Sequence, residues 1–434
     1  MHKIIHDSVH GSLKIGGVHL ELLQRPELQR LQGVHQLGLA YLVFPGANHT
    51  RMEHSLGVHH LSSLMCGALG VEGDEREDVL AAALLHDIGH PPFSHTLEEV
   101  MVDRFGMDHM EVTKAMIDGD VPFCDPADGD FLGPMVPIAE LLEASDVSAE
   151  KVGELIVSPR SKSIVQGMLP IEGNQAFFGR RDCLNQIIHG PVDADQMDYL
   201  LRDAHYTGVA HGTIDIDRLL RTIAIFHGDL VVSKGGVTAV EGLIVARALM
   251  YTSVYFHKTV RIAEMMLCKA VEEAEEDVIR NAQLMTDGAL LEALLAQEGE
   301  ARRLAQMLRY RRLYKKALFL PTLEVSDGQL ECLLPLTNYR RRKEAEREIA
   351  DRAGVRTSEV ILDLPQKTLL LLEQRIGKTE VPILNGDRVR PLSKYSPLTK
   401  AMQFRPIHDW ALMVSCPEAK SECVERAAKK VLFS

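Results

Sequence analysis

Aromatic residues are scarce, 5% of 434 positions with a single tryptophan. With 46% hydrophobic and 25% charged residues, the apolar content rests on Leu, Ala, Val and Ile, which suits helix-on-helix packing and excludes disorder as the default state. Cysteines are also few, and the seven present (Cys66, Cys124, Cys183, Cys268, Cys332, Cys416, Cys423) contain no Cys-x-x-Cys pair. An odd set without paired spacing reads as reduced thiols, which argues against a disulfide scaffold and points to the cytoplasm. Positive charge is in deficit: 48 Lys and Arg against 61 Asp and Glu leave a net charge of -13. That balance excludes broad binding to nucleic acid or anionic membrane, so a polyanionic ligand must be held by local charge. The N-terminal MHKIIHDSVHGSLKIGG lacks the apolar core of a signal peptide, and no run approaches the ~18 apolar residues of a membrane span.

The length exceeds the roughly 250 to 300 residues that one hydrophobic core serves, so a large domain with appendages is expected. Residues 1 to about 20 alternate apolar and polar around Gly11, Gly16 and Gly17, as a short hairpin does. Helical spacing then dominates through about 275, and the longest helix is expected over 238–272. The segment 302–316 carries seven Lys or Arg and no acid, a locally basic helix in an acidic chain that most simply faces solvent or another copy. Beyond it, CLLPL, VILDLP, VPIL and WALMVSC read as strands. The expected fold is mainly α: a helical core over 1–275 with small β-hairpins, a helical basic extension over 276–329, and a small α+β domain over 330–434.

The chemistry is concentrated in ALLHDIGHPPFSH, residues 83–95. An apolar stripe ends at His86 and Asp87, and Gly89, Pro91 and Pro92 stop the helix there. Both side chains can approach an ion beside the helix axis, and neither can complete its shell. Further donors come from HTRMEHSLGVHH, where Arg51 stands one turn before His54, and from DADQMDYLLRDAHYTGV, where Asp195, Tyr199 and Asp203 share a helix face at i, i+4 and i+8. Asp198 and Arg202 form a different i, i+4 pair, most simply a surface ion pair. Arg247, Tyr251 and Tyr255 make another such stripe and could line a pocket, and Arg51, Tyr199, Arg247 and Lys258 could supply the positive and donor groups that the acidic balance demands.

Together these segments resemble the HD-domain metal-dependent phosphohydrolases, whose pattern is His, then His-Asp, then a distant Asp. DSVHG, RPELQRLQGVHQLGLAYLVFPGANHTRMEHSLGVHH, LLHDIGHPPFSH, DADQMDYLLRDAHYTGV and VYFHK are similar, in order over about residues 4–265, to the deoxynucleoside triphosphate triphosphohydrolase branch. The resemblance implies that His54, His86, Asp87 and Asp195 hold one divalent metal ion, a mixed N/O set suited to Mn, Fe, Zn or Ni and less well to Mg. Such an ion can hold a phosphate oxygen and lower the pKa of a bound water towards ~7. The resemblance further implies a paired His109 and Glu98 near the scissile phosphate, with His90 and His95 facing phosphate. It places Arg51, Tyr199 and Arg247 among the substrate contacts, Tyr255 against the sugar, and Gln36 and Asp203 on the 3′-hydroxyl. Relatives are commonly oligomeric, which implies a homodimer or tetramer.

The chain departs from the animal members of that branch at three places. Glu98 stands where they carry Asp, Gln196 where they carry a phosphate-binding Lys, and Gln24 and Gln32 at the positions of their activator site. The activity that the resemblance implies is hydrolysis of deoxynucleoside triphosphates to deoxynucleoside and triphosphate. The rival, which Gln196 supports, is a nucleoside monophosphatase or a phosphodiesterase on a signalling nucleotide. A third reading, of another class, is a non-catalytic module that senses nucleotides or binds nucleic acid through the basic segment.

Overall fold

The computed structural model describes residues 2–121, 129–133, 135–157, 183–365, 380–403 and 409–433. It is mainly α, with three small sheets. The expected N-terminal hairpin forms from β1 (His2–Asp7) and β2 (Gly11–Gly16). The helices that matter for the site follow. They are α1 (Arg51–Leu69), α2 (Gly73–Leu85), α3 (Glu98–Phe105), α4 (His109–Asp118) and α5 (Ala194–Thr207). Then come the hairpin β3 (Ile223–Phe226) and β4 (Asp229–Ser233), α6 (Val237–Met250), and α7 (Lys258–Glu272). Leu61, Met65, Ala83, Leu84, Ile187, Met197 and Leu243 share one buried core beneath the site. The expected helix at 180–189 is described only from Asn185 to His189, and its first residues, like Cys124 and much of the loop 118–134, lie outside the described residues.

The expected continuous helix over 238–272 is interrupted. Between α6 and α7 the residues Tyr251–Tyr255 form a turn of π-helix and His257 then caps α7. A π-turn inserts an extra residue, which shifts the face that later side chains present and is frequent at functional sites. The apolar stretch Lys234–Tyr255 has the length and composition of a membrane span, contrary to the expectation that no run does so. Half of it is buried inside the protein, where Val240, Leu243 and Ile244 serve the core.

The C-terminal part packs α9 (Tyr339–Ala353) and α10 (Ser421–Phe433) on a sheet of order β5-β9-β6, after α8 (Gly299–Arg309). Here β5 is Lys315–Pro321, β6 Ile361–Asp363 and β9 Trp410–Cys416. Two expectations fail in this region. CLLPL is helical, because Ser326 and Gln329 form a capping box that starts a helix over Asp327–Leu333. The basic segment is helical only to Arg309, and Lys315 and Lys316 open β5. A third hairpin, β7 (Pro382–Asn385) and β8 (Arg388–Pro391), joins β4 in parallel and so ties this part of the chain to the β3–β4 hairpin of the helical core.

Candidate metal and phosphate site

Helix α1 starts where Thr50 and Glu53 cap one another, which fixes the entry of the chain and sets Arg51 and His54 on the inner side of its first turn. Helix α2 ends at Leu85, so His86 and Asp87 stand in the turn that follows. Gly89 is not needed to stop it. A Cβ there would lie 2.3 Å from the carbonyl oxygen of His109, so glycine is what lets the start of α4 approach and bring His109 to the site. After Pro91 and Pro92, Phe93 and Ser94 both adopt positive φ, 57° and 58°. Non-glycine residues in this region cost energy and must be held by their surroundings. Asp287 accepts from the Phe93 N–H at 2.6 Å and from both the backbone N–H and Nδ1 of His35, while Arg30 donates to the carbonyls of Ile88 and His90 at 2.7 Å each.

The structure brings one potential ligand atom from each of His54, His86 and Asp87 within 4.8 Å of one another, all buried. Asp195 on α5 places Oδ1 3.1 Å from Nε2 of His54. The Nδ1 atoms of both histidines are committed as donors, His54 to Asp198 at 2.7 Å and His86 to the Ala83 carbonyl at 2.8 Å. Carboxylate and carbonyl oxygens only accept, so Nε2 is the atom left to face the centre. Nε2 of His86 lies 3.3 Å from Asp87 Oδ1 yet is buried without a hydrogen bond, an atom that a cation would satisfy. Burial opposes charge on His54, but its bonds to Asp195 and Asp198 and the field of Asp87 outweigh burial and raise its pKa to about 10. The same carboxylates would favour a divalent ion in place of that proton. The group therefore fits a metal ion.

Across Asp87 lies a second histidine cluster. The ring of His90 stacks on His109 at 4.0 Å and 20°, and His95 meets His90 edge-on at 4.7 Å. Glu98 accepts from His109 and, at 3.1 Å, from His95. Burial disfavours a charged His109, but the bond and field of Glu98 prevail and raise its pKa. Burial acts against the Glu98 carboxylate as well, and its two histidines nevertheless hold it far below the usual range. His90 goes the other way: burial and then Arg51 lower its pKa well below the ordinary value, leaving it neutral with Nδ1 unpartnered. The three rings also bring nitrogens within 4.8 Å. However, stacked rings present faces rather than lone pairs to each other, and Glu98 holds Nδ1 of both His109 and His95.

Arg51 is nearly inaccessible; it bonds Asp87 Oδ2 at 2.5 Å and Ser94 at 2.7 Å, leaving one amino group, Nη2, without a partner. Arg247 is also buried, with Nη2 unsatisfied and no ion pair among the described residues. An uncompensated buried guanidinium is costly unless an anion joins it. Burial raises the Tyr199 pKa well above the ordinary value; Tyr251 and Asp195 reinforce the rise and Arg247 opposes it, so Arg247 and Asp195 act on the same tyrosine. Tyr255 meets Tyr199 at 6.0 Å and Tyr251 at 5.1 Å, and it donates to Asp203 Oδ2 at 2.7 Å. The other Asp203 oxygen accepts from His49 at 2.7 Å. Gln36 is half-buried, with its side-chain oxygen unsatisfied. Lys258 is not brought here: it pairs with Asp409 at 3.3 Å and covers the ring of Phe319.

The expected surface pair of Asp198 and Arg202 is a buried one, and both are fully shielded from solvent. Asp198 accepts from His54, from His10 at 2.6 Å and twice from Arg202 at 2.9 Å, and Arg202 continues to Asp7 at 2.8 Å. Asp7 and His10 thus carry the β1–β2 hairpin to the back of the metal group. Gly57 on α1 makes room, since a Cβ would sit 1.8 Å from Asp198 Oδ1. The i, i+4 spacing was visible, but nothing local says which helix face is buried.

An HD-domain family model matches residues 51–120 and an HD-associated-region model matches 214–433. An uncharacterized protein of Methanocaldococcus jannaschii is 31% identical, over 96% of this chain and 80% of that protein. The deoxynucleoside triphosphate triphosphohydrolase of Homo sapiens is 27% identical over 72% of this chain; the aligned part spans 54% of that enzyme's length. A crystal structure of a hypothetical protein from Aquifex aeolicus superimposes with a TM-score of 0.69 at 28% identity, covering 98% of this chain and all of that one.

Proposed function

The chain belongs to the HD-domain phosphohydrolase family, and from that premise we propose that it hydrolyses deoxynucleoside triphosphates to deoxynucleoside and triphosphate with one divalent cation. The observation that carries the reading is a cation-fitting group, His54, His86, Asp87 and Asp195, beside a second cluster in which His90, 3.4 Å from Asp87, stacks on His109, whose pKa Glu98 raises. When bound by His54, His86, Asp87 and Asp195, such an ion would supply Lewis acidity and would lower the pKa of a water molecule. The other steps fall to side chains. Arg247 and the free amino group of Arg51 bind phosphate oxygens, and His90 and His95 donate to the phosphate that is cleaved. His109, kept protonated by Glu98, delivers its proton to the departing 5′-oxygen.

Selection of a deoxyribose rests on Tyr255, whose hydroxyl is tied to Asp203 and whose ring faces the place of a 2′-hydroxyl, while Gln36 and Asp203 take the 3′-hydroxyl and Tyr199 closes the wall. We place the protein in the cytoplasm, a reading supported by six free cysteines among the described residues, and as a homodimer or tetramer. Gln196, neutral and buried, is the feature that favours the rival monophosphatase or phosphodiesterase. The test is incubation of the Mn-loaded chain with deoxy- and ribonucleotides followed by product identification. Inorganic triphosphate from deoxynucleotides supports the proposal. Orthophosphate or a ring-opened cyclic nucleotide supports the rival, and no product with any divalent metal leaves the non-catalytic reading.

A further inference from the structure

Helix α3 carries Glu98 at its first position, and its neighbouring residues are held by parts of the chain far away in sequence. Glu99 pairs with Arg342 of α9 at 2.5 Å, and the Arg342 guanidinium is nearly buried, resting 5.5 Å over the ring of Tyr339. Arg340 adds an outer contact to Asp103 at 3.6 Å, and the Thr96 carbonyl, just before α3, accepts from Cys268 of α7 at 2.9 Å. Helix α9 is itself fixed. Lys269 of α7 pairs with fully buried Glu346 at 3.0 Å, Lys343 with Glu272 at 2.7 Å, and Tyr339 donates to Glu272 at 2.6 Å. Glu346 also accepts from the backbone of Leu362 in β6 at 3.0 Å, so α9 is locked to the C-terminal sheet.

We propose that Arg342 is a positioning residue for the reaction, a clamp by which the C-terminal α+β part sets the place of Glu98 through its neighbour Glu99. The proposal rests on the reading of Glu98 and His109 as the proton-delivering pair. Hydrogen bonds to a reacting group tolerate little displacement, and errors of about 1 Å can cost on the order of a hundredfold in rate. Arg342 touches neither substrate nor metal group; it acts because Glu98 and Glu99 are adjacent on a short helix whose far end is solvent-exposed at Val102 and Phe105.

The test compares the full chain with Arg342→Gln and Arg342→Lys. Removing the guanidinium leaves Glu99, a third exposed, able to turn to water, so no buried charge is stranded. With Mn and deoxyguanosine triphosphate, Arg342→Gln is expected to lose about tenfold in kcat with KM and bound metal unchanged. Its amides over 98–105 should exchange at least about fivefold faster, and those over 258–272 at the wild-type rate. Arg342→Lys, which keeps the charge but not the fork, should recover part of kcat. Unchanged kcat in Arg342→Gln overturns the clamp, as does loss of metal or faster exchange throughout the protein. If the wild-type chain hydrolyses no deoxynucleotide, the function proposed above fails instead, and exchange over 98–105 alone decides the clamp: unaltered rates refute it.

Discussion

Two histidine clusters meet at Asp87, and they differ in what shares the centre with the rings. In one, Asp198 and a backbone carbonyl take the Nδ1 protons of His54 and His86 and turn Nε2 towards a common centre with Asp87 and Asp195. In the other, Glu98 binds His109 and His95, and its charge keeps a proton on His109 while burial leaves His90 neutral. One residue type thus serves as a candidate cation ligand on one side and a candidate acid on the other. A carboxylate raises the pKa of His54 as it does that of His109, so the difference lies in what shares the centre: Asp87 and Asp195 converge with His54 and His86, whereas His109 stacks on His90.

The largest effect should come from the residue the clusters share. Asp87→Ala removes a candidate ligand and the partner of Arg51, and is expected to abolish metal uptake and to lower kcat/KM on the order of a thousandfold or more, the scale of several kcal/mol; metal analysis and steady-state rates check it. Next, Glu98→Gln should lower kcat by about a hundredfold or more while metal content stays as it was. The sign of its pH dependence follows from the raised pKa of His109. The acid form, and with it activity, is present at low pH and lost as pH rises through a value above the ordinary 6.5. In Glu98→Gln that limb should move to lower pH, and a pH–kcat profile reads it.

Asp198→Asn tests the other side. It weakens the support of His54 and leaves Arg202 with Asp7 alone, so metal affinity should fall about 10- to 100-fold. Stability should fall by about 3 kcal/mol, the lower range for breaking a buried pair, as measured by denaturant unfolding. Smallest is Tyr255→Phe, which deletes one hydrogen bond to Asp203 at a cost of about 1 kcal/mol. Its expected signature is a severalfold loss of preference for deoxy- over ribonucleotides in competition assays, with metal binding unaltered.

The helical class and the N-terminal hairpin were legible because periodicity and glycine punctuation are local. The convergence of His54, His86 and Asp87 was legible through the family resemblance, since the His-Asp pair at a helix end does not by itself say what completes it. The failures have different causes. Asp198 and Arg202 read as a surface pair because spacing does not reveal which face of α5 meets Gly57 and the hairpin. The π-turn at Tyr251 keeps an α-helical pattern in its letters. Gly89 looked like a helix stop, and its need arises from α4, twenty residues on. Likewise CLLPL is apolar enough for a strand until the capping box before it is counted. Long-range packing decided the cases of Asp198–Arg202 and Gly89, whereas the capping box before CLLPL is a local signal.

The division of labour between the clusters is tested most directly by measuring bound metal and kcat together in Asp198→Asn and Glu98→Gln. The account predicts that Asp198→Asn loses metal affinity and regains rate at saturating Mn, whereas Glu98→Gln binds metal as the wild type does and stays slow at any Mn concentration. Equal loss of metal from both variants, or recovery of Glu98→Gln by added Mn, would contradict it.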